Sequence, residues 1–244
     1  MIVHRIAVLL AALMLGACAS GGGNAKYSSD LGMSALAGGD YLGAIRHLQA
    51  AVEAAPDDHE LWNGLGLAYQ GRDLPERAIE AYRKAIEVKP DFSEAWNNLG
   101  TVYLSLSQFD AALEAFRKAL ENILYPRPEN AWFNIGMTYY NTGRYDEAIQ
   151  AFGRSIRAEP NFCDAYYHQG QSYMQKERWR EAVDVFRSLI QICPEAAAPY
   201  RSAGIAYLKL NKRQTARQYF EKARDIAPPG PLADEINRYL KLLR

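Results

Sequence analysis

The segment AWNNLGTVY, Ala95 to Tyr103, places an aromatic, an apolar residue, a glycine and a tyrosine at Trp96, Leu99, Gly100 and Tyr103. Offsets of three and four put these residues on one face of a helix. A glycine inside a helix costs about 1 kcal/mol relative to alanine, so its place on that face predicts the close approach of a second helix. The same pattern stands one repeat earlier as Trp62, Leu65, Gly66 and Tyr69.

The landmark glycine recurs at Gly32, Gly66, Gly100, Gly136, Gly170 and Gly204, with spacings of 34, 34, 36, 34 and 34 residues. Twelve residues after each stands Ala44, Ala78, Ala112, Ala148, Ala182 or Ala216, and four further on a large residue: Leu48, Tyr82, Phe116, Phe152, Phe186 or Phe220. Polar turns such as Asn141-Thr142-Gly143-Arg144 separate two helices in each unit. Prolines at Pro56, Pro90, Pro160, Pro194 and Pro228 stop the second helix, because proline lacks the N–H and fixes φ. The small alanine of the second helix is the expected contact for the glycine of the first. A lone helix pair cannot bury its apolar face, so the pairs must stack.

These positions resemble the tetratricopeptide repeat family. The register gives six repeats, at 25–58, 59–92, 93–128, 129–162, 163–196 and 197–230. The first is degenerate, with Ser28 and Ala35 where later repeats carry aromatics. Residues 231–244 open with a proline and align Leu232, Ile236, Tyr239, Leu240 and Leu243 on one face, as a capping helix would. The expected fold is all-α, a right-handed superhelical solenoid of six repeats closed by that helix.

The N-terminus reads differently. His4 and Arg5 precede an apolar run of ten residues, Ile6 to Leu15, too short to span a bilayer as a helix but suited to a secretory signal. Leu15-Gly16-Ala17-Cys18 resembles the lipobox of bacterial lipoproteins. That resemblance implies cleavage after residue 17, a lipid on Cys18 and a flexible tether over 18–24. Ala19 in place of aspartate favours the outer membrane, with the protein facing the periplasm.

Lys plus Arg and Asp plus Glu each number 28, so no basic excess is present to hold a nucleic acid. His47, His59 and His168 lie in three different repeats, without a second His or Cys placed for a metal. Asp164 and His168, one turn apart, lack a nucleophile and are read as an ion pair or as solvated groups. No phosphate loop occurs, so neither an enzyme, a cofactor nor a small-molecule substrate is expected. Cys163 and Cys193 fall at neighbouring ends of one helix pair and form either a disulfide or two core thiols. The irregular connection Asn122-Ile123-Leu124-Tyr125-Pro126-Arg127-Pro128 is either a tolerated insertion or a stiff knob that offers Leu124 and Tyr125 to a partner.

The repeat resemblance implies a groove lined by the first helix of each repeat. It maps onto Asn63, Leu67 and Gln70, then Asn97, Asn98, Thr101 and Leu104, then Phe133, Asn134, Met137 and Tyr140. It continues with Asn141, then with Tyr167, His168, Gln171 and Met174, and ends with Arg201, Ile205 and Leu208. Asparagine amides donate and accept toward a peptide backbone, while the apolar members offer packing area. The lysines and arginine that clamp a C-terminal carboxylate in some relatives have no counterparts here. Arg83, Lys84, Arg117, Lys118 and Arg154 fall on the second helices, where solvation is expected.

Together, the lipobox, tether, six repeats and terminal helix resemble the pilotins, outer-membrane lipoproteins of type IV pilus biogenesis (the PilF, PilW and Tgl type). Phrases such as Ala95 to Gly100 and Asp110 to Phe116 fit them too. The resemblance implies secretin subunits as partners and their assembly into the pilus pore as the task. Two alternatives stay open at this point, a lipoprotein scaffold for peptidoglycan hydrolases or another envelope complex, and a purely structural outer-membrane component.

Overall fold

The computed structural model describes residues 25–243. The expected signal segment, Cys18 and the tether lie outside them. Among the described residues the chain is helical, without a strand. Helix α1 covers 25–37 and pairs with α2 (Tyr41–Ala54). Next come α3 (His59–Gly71) with α4 (Pro75–Val88), and α5 (Ser93–Ser105) with α6 (Phe109–Ala119). Then follow α7 (Pro128–Asn141) with α8 (Tyr145–Ala158), α9 (Cys163–Gln175) with α10 (Trp179–Ile192), and α11 (Ala197–Lys209) with α12 (Arg213–Ile226). Helix α13 (Pro231–Leu242) ends the series. The chain forms two compact units that part between Tyr125 and Pro126, inside the interval 93–128 read as one repeat. The first holds α1 to α6 and the second α7 to α13.

Each pair is closed by one large side chain. Leu48, Tyr82 and Phe116 in the first unit, and Phe152, Phe186 and Phe220 in the second, are fully buried. Each lies against the landmark glycine of its own repeat. A Cβ added at Gly66 would stand 2.5 Å from the Tyr82 ring, at Gly100 2.5 Å from Phe116, and at Gly136 2.6 Å from Phe152. The same holds at Gly170 with Phe186 (2.5 Å) and at Gly204 with Phe220 (2.9 Å). The glycine's contact is therefore the residue sixteen positions on, not the alanine twelve on that the sequence suggested. Those alanines are buried as well, but a flat ring, not a methyl, covers the exposed glycine backbone. Burying such a ring contributes about 1.5–3 kcal/mol, which outweighs the roughly 1 kcal/mol helix cost of the glycine.

The turn inside each pair is equally regular. Gly39, Asp73, Ser107, Gly143, Glu177 and Asn211, each seven residues past a landmark glycine, all take positive φ between 56° and 76°. The following N–H reaches back to the residue three past the glycine, as Leu74 N to Tyr69 O (3.0 Å) and Arg178 N to Tyr173 O (2.9 Å). The left-handed residue's own N–H donates one position further along, as Asp73 N to Gln70 O (3.0 Å). This is the Schellman pattern that satisfies the last carbonyls of a helix. Four of the six positions are not glycine and bear about 1–2 kcal/mol of left-handed strain, so pair closure outweighs local preference there.

The second unit is closed by α13. Pro231 begins it, and Ile236 is fully buried against the cluster of Phe220 and Ala223. Tyr239 stacks on Phe220 with ring centroids 4.7 Å apart. Leu232, Leu240 and Leu243 pack on the same cluster.

Candidate protein-binding site

The first helix of each pair presents the residues singled out above. Gln70 and Asn141 are exposed, and the others, from Asn63 to Leu208, are half-buried: ordered by their neighbours yet reachable from solvent.

In the first unit a chain of hydrogen bonds joins α3 and α5. Tyr82 Oη donates to Gln70 Oε1 (2.8 Å), Gln70 Nε2 donates to Thr101 Oγ1 (3.2 Å), and Thr101 Oγ1 donates to the Asn98 carbonyl (2.7 Å). Asn98 Nδ2 in turn donates to Asn63 Oδ1 (2.9 Å). One bond between the two amides leaves each with further donor and acceptor capacity in a fixed orientation. Leu67 and Leu104, half-buried, stand on the same two helices. Helices α3 and α5 contain neither lysine nor arginine.

The second unit presents a different surface. His168 on α9 lies among Phe133, Tyr140, Phe152 and Tyr167, with ring centroids 5.6, 6.1, 5.8 and 5.6 Å away. Its Nδ1 is buried without a partner. This differs from the ion pair or solvated imidazole expected from Asp164, because α7 and α8 close aromatic rings over it. Burial holds the His168 pKa below the ordinary value, against a smaller upward pull from Asp164. Beside it, Gln171 Nε2 donates to Tyr167 Oη (2.8 Å), which also accepts from Arg201 (3.4 Å). Arg201 pairs with Glu235 of the capping helix at 2.8 Å. The second face is thus aromatic, with one clasped cation at its end.

The lowered His168 pKa has a definite consequence. An unfolded imidazole takes up its proton near pH ~6.5, before the folded one does. The stabilisation is therefore complete above that pH and declines as pH falls toward the lower folded value. The urea midpoint is expected to drop between pH 7.5 and 5.5, and by less in His168→Phe, which keeps the ring contacts without the titration. Equal drops in both proteins would assign the pH response elsewhere.

The repeat geometry on both faces has a counterpart in known sequences. Tetratricopeptide repeat models match residues 59–92, 91–158, 133–197 and 167–231, leaving no gap from 59 to 231. The chain belongs to the tetratricopeptide repeat family. No curated protein sequence matches it at a significant level. Among solved structures it is similar to PilW, a widely conserved type IV pilus biogenesis factor, with a TM-score of 0.76 and 23% identity over 87% of this chain and 98% of PilW. PilF of Pseudomonas aeruginosa gives 0.75 and 19% identity over 90% of this chain and 99% of that one. The MamA protein gives 0.61 and 30% identity over 70% and 92%.

Two open clefts in the first tetratricopeptide unit involve none of the inner-face residues. One, of about 610 Å³, is lined by Trp62, Leu65 and Tyr69 with Arg77, Ala81 and Lys84. The other, of about 470 Å³, is lined by the equivalents Trp96, Leu99 and Tyr103 with Ala115. The sequence places Trp62, Leu65 and Tyr69, like Trp96, Leu99 and Tyr103, on one helical face, but gives no sign of a cleft there. Their recurrence one repeat apart marks the clefts as products of the repeat geometry.

The irregular connection also departs from expectation. Tyr125, read as offered to a partner, is only 7% exposed, whereas Leu124 is 80% and its neighbour Ile123 94% exposed. Asn122 fixes the turn: Nδ2 donates to the Asp91 carbonyl (3.0 Å), and Oδ1 accepts from Leu124 N (2.9 Å). The apolar pair facing solvent is therefore Ile123 and Leu124, and Tyr125 anchors it from within. On the second helices Arg83, Lys84, Arg117, Lys118 and Arg154 are exposed. Arg154 covers the Trp132 ring at 4.4 Å, and Lys84 and Lys118 pair with Glu87 and Glu121.

Among the described residues no group of three or more His, Cys, Asp or Glu is placed to hold a metal, and no helix is long and apolar enough to cross a membrane. The fold is that of a protein-interaction module, and the two faces offer amide, apolar and aromatic groups to solvent.

Proposed function

We propose that this tetratricopeptide protein is a non-enzymatic pilotin, anchored in the outer membrane through a lipid on Cys18 and facing the periplasm. It binds secretin subunits and promotes their assembly into the type IV pilus pore. The observation that carries the reading is the likeness to PilW and PilF over nearly the whole of each chain, joined to the sequence LGAC at residues 15–18. The amide-bearing face of α3 and α5 supports engagement of an extended, uncharged segment, since its donors and acceptors are oriented in advance and carry no net charge to screen.

The test is binding of purified secretin subunits to the mature chain. Association is expected, and the double change Asn63→Ala with Asn98→Ala is expected to weaken it about 10-fold or more, as loss of a preformed polar pair does. No association of the unaltered chain with secretin would overturn the reading, and recovery of amidases or transglycosylases from crosslinked envelopes would replace it with a cell-wall scaffold. Cys18→Ser should remove the acyl mass from the mature protein.

A further inference from the structure

The second and third repeats tie the first turn of the inner helix to the connection before it. Trp62 Nε1 donates to the Pro56 carbonyl (2.7 Å), and Trp96 Nε1 donates to the Pro90 carbonyl (2.8 Å). The fifth repeat carries Tyr166 at the equivalent place, and α9, like α5, has no side-chain cap. Here a covalent link occurs instead. Cys163, the first residue of α9, is bonded to Cys193, the residue that ends α10, with Cα atoms 6.6 Å apart. That span lies within the range a disulfide bridges. Of the two sequence alternatives, the separate core thiols fall away.

We infer that the Cys163–Cys193 bridge is a redox-dependent clip that closes the fifth helix pair and holds α9, and with it the aromatic binding face, in place. Helix α9 supplies Tyr167, His168, Gln171 and Met174 to that face, and the bridge sits at the N-terminal end of that helix, where no side chain caps the backbone. Both cysteines are half-buried and pack against the aromatic cluster of the second unit. Forming the bridge removes two protons and two electrons from the thiols. A disulfide donor accepts the electrons: one thiolate attacks it to give a mixed disulfide, and the second thiolate displaces the donor, which leaves as a dithiol. A dithiol reductant reverses the same steps. Export, as proposed above, supplies the oxidising compartment such a donor needs.

The bridge closes a loop of sequence separation 30. In the chain-entropy treatment, removing it lowers the folding equilibrium constant by roughly 10²–10³-fold. The test uses the purified full-length chain, refolded with oxidised glutathione, and needs no secretin, so its failure leaves the pilotin reading standing. Alkylation without reductant should leave Cys163 and Cys193 unmodified. Reductant should lower the urea midpoint and raise hydrogen exchange in α9 above that in α3 and α5, and reoxidation should restore both. The double variant Cys163→Ser/Cys193→Ser should behave like the reduced chain and ignore reductant. Alkylation of both thiols before reduction would overturn the inference, as would an unchanged midpoint and unchanged α9 exchange after it.

Discussion

Phe116→Ala is expected to remove about 3–5 kcal/mol of folding stability, among the largest losses a single core truncation gives. Phe116 is fully buried, and its ring covers the backbone of Gly100. The change deletes the ring's burial and leaves a cavity bounded by helix backbone, which relaxes little because α5 is held by its own hydrogen bonds. Urea unfolding followed by far-ultraviolet circular dichroism measures it, with the slope unchanged if only the folded state is affected. The neighbouring Glu114→Ala, on the exposed side of α6, should stay within about 0.5 kcal/mol of the parent. A loss below about 1 kcal/mol at Phe116 would mean that the ring does not close the pair.

Gly136→Val tests the same contact from the opposite side. Valine exceeds glycine in helix propensity by a few tenths of a kcal/mol, so an uncovered glycine would tolerate the change or gain from it. Here the first added carbon would meet the Phe152 ring at 2.6 Å. That ring has no free space to enter, being fully buried with Phe133 and His168 against it. Overpacking of this kind costs about 1–3 kcal/mol and sometimes more, so the net loss is expected near 2–3 kcal/mol. Adding Phe152→Leu should return part of it, because the two changes share one space. Additive losses in the double variant would separate glycine from ring and contradict the packing.

Much of this was legible in the sequence. The 34-residue recurrence of Gly66, Gly100 and their fellows located the helix pairs, and the prolines located their ends. The glycine's true contact was not legible, because helical periodicity assigns a residue to a face without saying which volume fills the opposite gap. Both Ala112 and Phe116 stand on the facing stripe of α6, and only their packing shows that the ring covers Gly100. The left-handed turn could be read at Gly39 and Gly143 from the residue type, but Asp73, Ser107 and Glu177 give no comparable signal. They adopt that conformation because the helices on both sides are already fixed by burial.

The candidate faces were legible to a similar depth. Repeat register brought out Asn63 and Asn98, but not that their amides bond to each other through a chain anchored at Tyr82. Register places His168 on the groove face, but not its surroundings: Asp164 is its obvious partner along the helix, while the rings around it come from α7, α8 and α9. Leu124 and Tyr125 form an apolar pair in sequence, yet residue type alone does not say which of them a turn buries, and the structure turns the tyrosine inward.

The amount of heat-resistant secretin multimer in envelopes of cells that lack this protein tests the pilotin assignment. The expected result is that multimers vanish and only monomers remain, with recovery by the unaltered chain and not by the chain with alanine at positions 63 and 98. Undiminished multimers in the deletion strain would contradict the assignment.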